Sequence, residues 1–241
     1  MAWSRSRRWA LGLAAAAAAL VVLAVGGTFV YFHFISGPAP APLSLKTGAG
    51  SSPGTQGATG SPAAGGPVPL AGAWHTVSGS LVGYRVKEVL FGQNHVAVGR
   101  TGAVTGHIII TGTTVTAGTF TVAMATIKSD ESERDVQFRG RIMDTSAYPT
   151  GTLTLARPIA LTPLPAAGVI KTYTVTAGLT LHGHTRAVTF PLSAERTADE
   201  IEVSGSIPIL FADWGIPNPS FTGFVTTQNH GVLEFLLKLA R

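Results

Sequence analysis

From Gly72 onward the chain alternates hydrophobic and polar residues with a period of two. In KTYTVTAGLTLH (171–182), Tyr173, Val175, Ala177, Leu179 and Leu181 fall on one face, and Thr172, Thr174, Thr176 and Thr180 on the other. Side chains of an extended chain point alternately to opposite faces, so this is the signature of a half-buried strand. The same alternation predicts strands through Val188, Phe190 and Leu192, through Ile201, Val203, Ile207 and Ile209, and through Leu233, Phe235, Leu237 and Leu239. Thr- and Val-rich runs predict others at Leu81–Val89, His107–Ile110, Thr113–Ile127 and Gly151–Ala156. About eight short strands separated by Gly, Pro and Asp turns imply an all-β fold, an antiparallel barrel or sandwich. One helix interrupts the pattern: Asp130, followed three residues later by Glu133, forms a capping pair at the start of ESERDVQFRGR.

The first 70 residues show no such alternation. From Trp9 to Ile35 the chain has no Lys, Arg, Asp or Glu, and about 20 apolar residues suffice for a helix to cross a bilayer. Arg5, Arg7 and Arg8 precede this run and no basic residue closely follows it, which predicts a transmembrane signal anchor with residues 1–8 in the cytoplasm and the rest of the chain outside. A cleaved signal peptide is the alternative, but its apolar region is usually shorter and ends in a small-x-small site, whereas this run ends in YFHFI followed by GPAPAP. Residues 36–70 are Gly, Pro, Ala and Ser with one charge, a composition that predicts a disordered linker. Residues 71–241 then form the folded domain.

Charge and cysteine content narrow the function. All 12 acidic residues lie beyond residue 71, and four of the 17 basic residues precede it, leaving 13 basic against 12 acidic in the folded part. The basic character of the whole chain therefore belongs to its N-terminus, and the domain carries no nucleic-acid footprint. The absence of cysteine excludes disulfides, thiolate metal sites and a cysteine nucleophile.

Three patterns resemble chemical motifs, and each has a simpler reading. His182-Gly183-His184 could offer two same-side metal ligands on a continuous strand. The alternation breaks here, however, with Leu181 ending one arm and Val188 beginning the other, which describes a hairpin connection. Asp130, Glu131, Glu133 and Asp135 could be a carboxylate site, but acidic residues in a first helical turn complement the helix dipole, with Arg134 and Arg139 as partners. Gly50-Ser51-Ser52-Pro53-Gly54 fits a nucleophile pattern but lacks the flanking strand and helix that pattern requires. No catalytic residue, metal ligand or cofactor is assigned.

The large apolar side chains serve equally as core or as the lining of a ligand channel. Candidates are Tyr84, Phe91, Phe120, Met124, Phe138, Tyr148, Tyr173, Phe190, Trp214 and Phe235, with Phe221 in the same class. The segment Phe211–Phe224, with Trp214, Pro217 and Pro219, reads as a rigid loop at the barrel mouth.

Several segments occur in a telling order: Trp74, GSLVGYRVKE (79–88), VGRTGAVTG (98–106), SDESERD (129–135), Tyr148-Pro149, GLTLHGHTRAVTFPL (178–192), VSGSIPILFADWGIPNP (203–219) and EFLLKLAR (234–241). Together, over residues 72–241, they resemble the YceI-like family of lipid- and polyisoprenoid-binding proteins. The resemblance implies a lipocalin-like antiparallel barrel whose apolar channel holds a long isoprenoid or similar amphipathic lipid without covalent catalysis. Some barrels of the family pair through exposed sheet faces, so a homodimer is one implied assembly, and no residue here selects it. The sequence departs from the family near the first strand, where a His-Ser pair and a later His are usual and where Gly79-Ser80 and Lys87-Glu88 stand here. Head-group contacts in that region do not carry over.

The expectation is a membrane-anchored, extracytoplasmic lipid-binding barrel of the bacterial envelope, without enzymatic activity. Its rival is an envelope interaction module with a filled core; a hydrolase would need a nucleophile and base that the sequence does not display.

Overall fold

The computed structural model describes residues 39–45, 69–90, 92–197, 199–221 and 225–241. The apolar run 9–35, most of the linker and residues 50–54 lie outside the described residues. Among the described residues no helix is long and apolar enough to cross a membrane. The chain divides into two compact units, Met1–Pro40 and Ala41–Arg241; the second is the barrel.

Its strands are β1 (Gly72–Thr76), β2 (Leu81–Leu90), β3 (Gln93–Thr101), β4 (Val104–Thr111), β5 (Thr114–Ala123), β6 (Thr150–Leu155), β7 (Ile159–Ala160), β8 (Lys171–Leu181), β9 (His184–Arg196), β10 (Ile201–Leu210), β11 (Val225–Thr227) and β12 (His230–Ala240). All the pairings are antiparallel. β12 pairs with β1 at its C-terminal end and with β2 further back, so β1 and β2 are two halves of one bent stave. The β2–β3 and β1–β4 pairings make β3 and β4 a second bent stave. With β5, β6, β8, β9, β10 and β12, these close an eight-stave ring in chain order, and closure removes the unpaired sheet edges except along β3, whose far side carries, among the described residues, only the Arg100–Lys128 bridge. The first bend is held by Ser80, whose hydroxyl accepts from the Lys238 N–H (3.0 Å) and donates to the Lys238 carbonyl (3.2 Å).

The β8–β9 hairpin settles the His182-Gly183-His184 question. Leu181 pairs with His184, leaving a two-residue turn at His182-Gly183. Both turn residues have positive φ, 46° and 76°, as the turns that match strand twist require. The outer face of this hairpin is a ladder of hydroxyl pairs: Thr172–Ser193 (3.1 Å), Thr176–Thr189 (3.2 Å) and Thr180–Thr185 (2.7 Å). The polar half of the alternation is thus paired across strands while the apolar half turns inward.

Pro191 and Pro208 shape the next junction. The β9–β10 ladder runs only from Ile201↔Arg196 to Gly205↔Leu192, and both prolines lie beyond it. Lacking an N–H, neither can extend it. The helical turn Phe211–Trp214 packs beside these strands, with Trp214 Nε1 donating to the Leu179 carbonyl at 3.3 Å and Arg186 donating to the Asp213 carbonyl.

Three sequence expectations are corrected. β5 ends at Ala123 rather than running to Ile127, because the Met124 N–H bonds to the Pro149 carbonyl and a short 3-10 turn follows. Asp130 does not cap the helix: α1 (Ser132–Gln137) has Glu131 at its N-cap without a side-chain capping bond, and Asp130 pairs with Arg134 instead. Asp135, buried, accepts from both the N–H and the hydroxyl of Ser129 at 2.8 Å. Third, residues 41–45 of the linker lie on the barrel: the Leu43 N–H donates to Glu234 (3.3 Å), the Leu45 N–H donates to Ser204 Oγ (3.3 Å), and Leu45 is buried. Contacts at every second residue show an extended strip, which the Gly/Pro composition concealed.

Candidate functional site

The inward halves of the staves do not meet. They enclose a cavity of about 300 Å³, at the lower end of the range for small-molecule sites. Every inward residue of the β8 alternation, from Tyr173 to Leu181, lines it, as do Ile201, Val203, Ile207 and Ile209 of β10 and Leu233, Phe235, Leu237 and Leu239 of β12. The lining is almost wholly apolar.

Of the ten candidate aromatic and sulfur side chains, Tyr84, Phe120, Met124, Phe138, Tyr173, Phe190 and Phe235 line the cavity. Phe190 and Phe235 meet edge to face at 6.0 Å, and Tyr84 stacks on Phe138 at 5.2 Å. Tyr148 and Trp214 are not on the lining. Tyr148 covers the outside of the β8–β9 turn, its ring 4.5 Å from that of His182. Trp214 is 3 % exposed and anchors its helical turn to β8, so in the segment expected to form the mouth it is Phe211, Ile216 and Pro219 that reach the cavity. Phe91 lies outside the described residues, and Phe221 is exposed.

The polar groups at the cavity concentrate near its ends. At the β2–β11 end, Glu88 accepts from Arg134 Nη2 at 3.2 Å and lies 3.0 Å from His95 Nδ1, while Asp130 takes the other Arg134 nitrogen. Burial works against the Arg134 charge, but Glu88 and Asp130 outweigh it and raise its pKa. Burial pushes the Tyr84 phenol well above its ordinary value, so it stays neutral. At the opposite end, Leu161, Leu164 and Pro165 of the β7–β8 loop join Tyr173, Ala194 and Ile201. Sequence reasoning missed these loop residues, because the uncharged run 158–170 does not stand out in a chain that has longer ones at 101–127 and 214–233. Chemically, such a site can hold a slender apolar molecule by exclusion of water; Glu88 and Arg134 are engaged with each other, and Glu195 and Arg196 join the lining at the β7–β8 end.

An antiparallel barrel closed around an apolar cavity defines a lipocalin-like binding barrel. The YceI-like domain profile matches residues 76–238, and the chain belongs to that family. No curated protein matches it. Among solved structures, it is similar to a polyisoprenoid-binding domain from Saccharophagus degradans implicated in plant cell wall breakdown, with 18 % identity and a TM-score of 0.59 over 70 % of this chain and 98 % of that one. It is also similar to BcnA of Burkholderia cenocepacia, with 20 % identity and a TM-score of 0.50 over 64 % of this chain and 95 % of that one. At these identities the likeness is one of fold.

Proposed function

We propose that the barrel binds an isoprenoid or similar long-chain amphipathic lipid in its cavity, as a non-catalytic carrier or store. It acts outside the cytoplasm, held to the membrane through residues 9–35. The observation that carries this reading is the cavity itself: a filled-core interaction module would have no unoccupied space lined from eight staves by apolar side chains. Family membership and the polyisoprenoid-binding neighbour support the ligand class. Each methylene buried contributes about 0.8 kcal/mol, so a chain of isoprene units is held by contact and shape alone.

The test is native mass spectrometry of residues 41–241, the compact unit that retains the docked strip, purified from cells without detergent and followed by solvent extraction. A copurifying mass that extracts as a long-chain isoprenoid is expected. A clean protein that also refuses added isoprenoids would overturn the reading in favour of an envelope interaction module.

A further inference from the structure

The β7–β8 loop, LTPLPAAGVI (161–170), carries no Lys, Arg, Asp or Glu. It is the centre of the uncharged stretch between Arg157 and Lys171. Yet all of residues 162–169 except Pro165 are exposed, with Leu164 at 42 % and Val169 at 48 %. The same loop supplies Leu161, Leu164 and Pro165 to the cavity wall, so Leu164 belongs both to the lining and to the outer surface. We propose that this loop docks the barrel onto a lipid bilayer, inserting Leu164 and Val169 among the acyl chains so that the cavity opens onto hydrocarbon.

Entering a bilayer is costly for backbone groups that lose water, and part of this loop's backbone is already satisfied. Pro163 and Pro165 have no N–H. The Gly168 N–H is bonded to the Arg196 carbonyl (2.8 Å), the Val169 N–H to the Ala166 carbonyl (3.2 Å) and the Leu161 N–H to the Thr113 carbonyl (2.9 Å). The Pro163 carbonyl accepts from Lys171 Nζ at 2.8 Å. The loop is therefore already ordered, and docking need not order it.

The choice of a bilayer over a protein groove follows from continuity with the cavity and rests on the lipid-binding reading. A water-insoluble ligand that leaves past Leu161 and Leu164 needs an apolar path, and a lip set into hydrocarbon supplies one. Charge does not drive the contact. Arg157 and Lys171 flank the loop, but the β9–β10 turn beside it carries Asp199 and Glu200, so this end of the barrel has both signs. Docking is accordingly insensitive to salt.

The chain has no cysteine, which allows single environment-sensitive labels in the full-length protein at Leu164→Cys, at Val169→Cys and, as a control, at Thr185→Cys beside the β8–β9 turn. The control lies at the far end of β8, about 30 Å away for an 11-residue strand. With phosphatidylcholine–phosphatidylglycerol vesicles carrying a doxyl quencher in the acyl chain, labels at 164 and 169 should brighten, shift to the blue and be quenched. The label at 185 should do none of these, and salt at about 0.5 M should leave the result unchanged. Labels at 164 and 169 that stay in water, or three labels that respond alike, would overturn the proposal. Uptake of an added prenol is scored on the same samples. Uptake without quenching removes the docking loop alone, whereas quenching without uptake removes the lipid-channel reading and leaves the docking intact.

Discussion

Glu234 Oε1 lies 2.7 Å from Arg100 Nη2 on the outer wall of the barrel, and the carboxylate is only 3 % exposed. Outward-facing positions of a barrel are ordinarily wet. This one is dry because Arg85 approaches Glu234 at 3.5 Å, Leu43 donates to it, and Arg100 also holds the Ala41 carbonyl. The strip 41–45 is thus part of the wall, held there by Glu234 together with Arg100 and Ser204.

Glu234→Gln should lower stability by about 3 kcal/mol, as expected when one partner of a buried ion pair is neutralised. Urea denaturation of the full chain measures the loss. Hydrogen exchange at Leu43 and Leu45 should accelerate in the folded state, and unchanged exchange would show that the strip is held by something other than this carboxylate.

Ala177 is 1 % exposed and lines the cavity between Val175 and Leu179. Ala177→Phe should place a ring in the ligand's space and reduce isoprenoid retention at least tenfold, about 1.4 kcal/mol or more. Thermal unfolding in the absence of lipid should change little, since the added ring fills a void. Retention equal to wild type would mean that the ligand sits elsewhere.

Burial holds the Tyr84 phenol above its ordinary value of 10.0. The folded chain therefore keeps this proton to higher pH than the unfolded chain does. Its contribution is complete below pH 10.0, the unfolded value, and is lost as pH rises towards the folded value. A single proton gives a slope of at most about 1.4 kcal/mol per pH unit. Tyr84→Phe should flatten the alkaline limb of the stability profile by that amount, as read from urea midpoints between about pH 9 and 11.

Trp214 donates to the Leu179 carbonyl and stays off the cavity lining. Trp214→Phe should cost about 1–2 kcal/mol through the lost buried hydrogen bond and leave isoprenoid affinity within about twofold. A large loss of affinity at unchanged stability would return Trp214 to the binding site.

The strands were legible where one face is buried and the other wet. β8, β10 and β12 read directly from their alternation, and the inward set of β8 is the set that lines the cavity. β1, β3, β7 and β11 were not read. β7 and β11 are two and three residues long, too short to show a period, and β3 (QNHVAVGRT) buries Ala97, Val98 and Gly99 in succession. The hairpin at His182-Gly183 was legible because a break in alternation is a local event.

Local pattern determined the all-β class, the inward faces and the separation of a basic N-terminus from a nearly neutral domain, because period, composition and charge are properties of consecutive residues. Only the tertiary structure decided which apolar side chains line space and which fill it. Burial drives Trp214 and Phe190 inward alike, and ring closure sets one against β8 and the other against the cavity. It alone brought Leu43 to Glu234, 191 positions apart, and Leu164 to the lip of the channel. Such contacts are made by geometry between distant segments, and no stretch of sequence encodes them by itself.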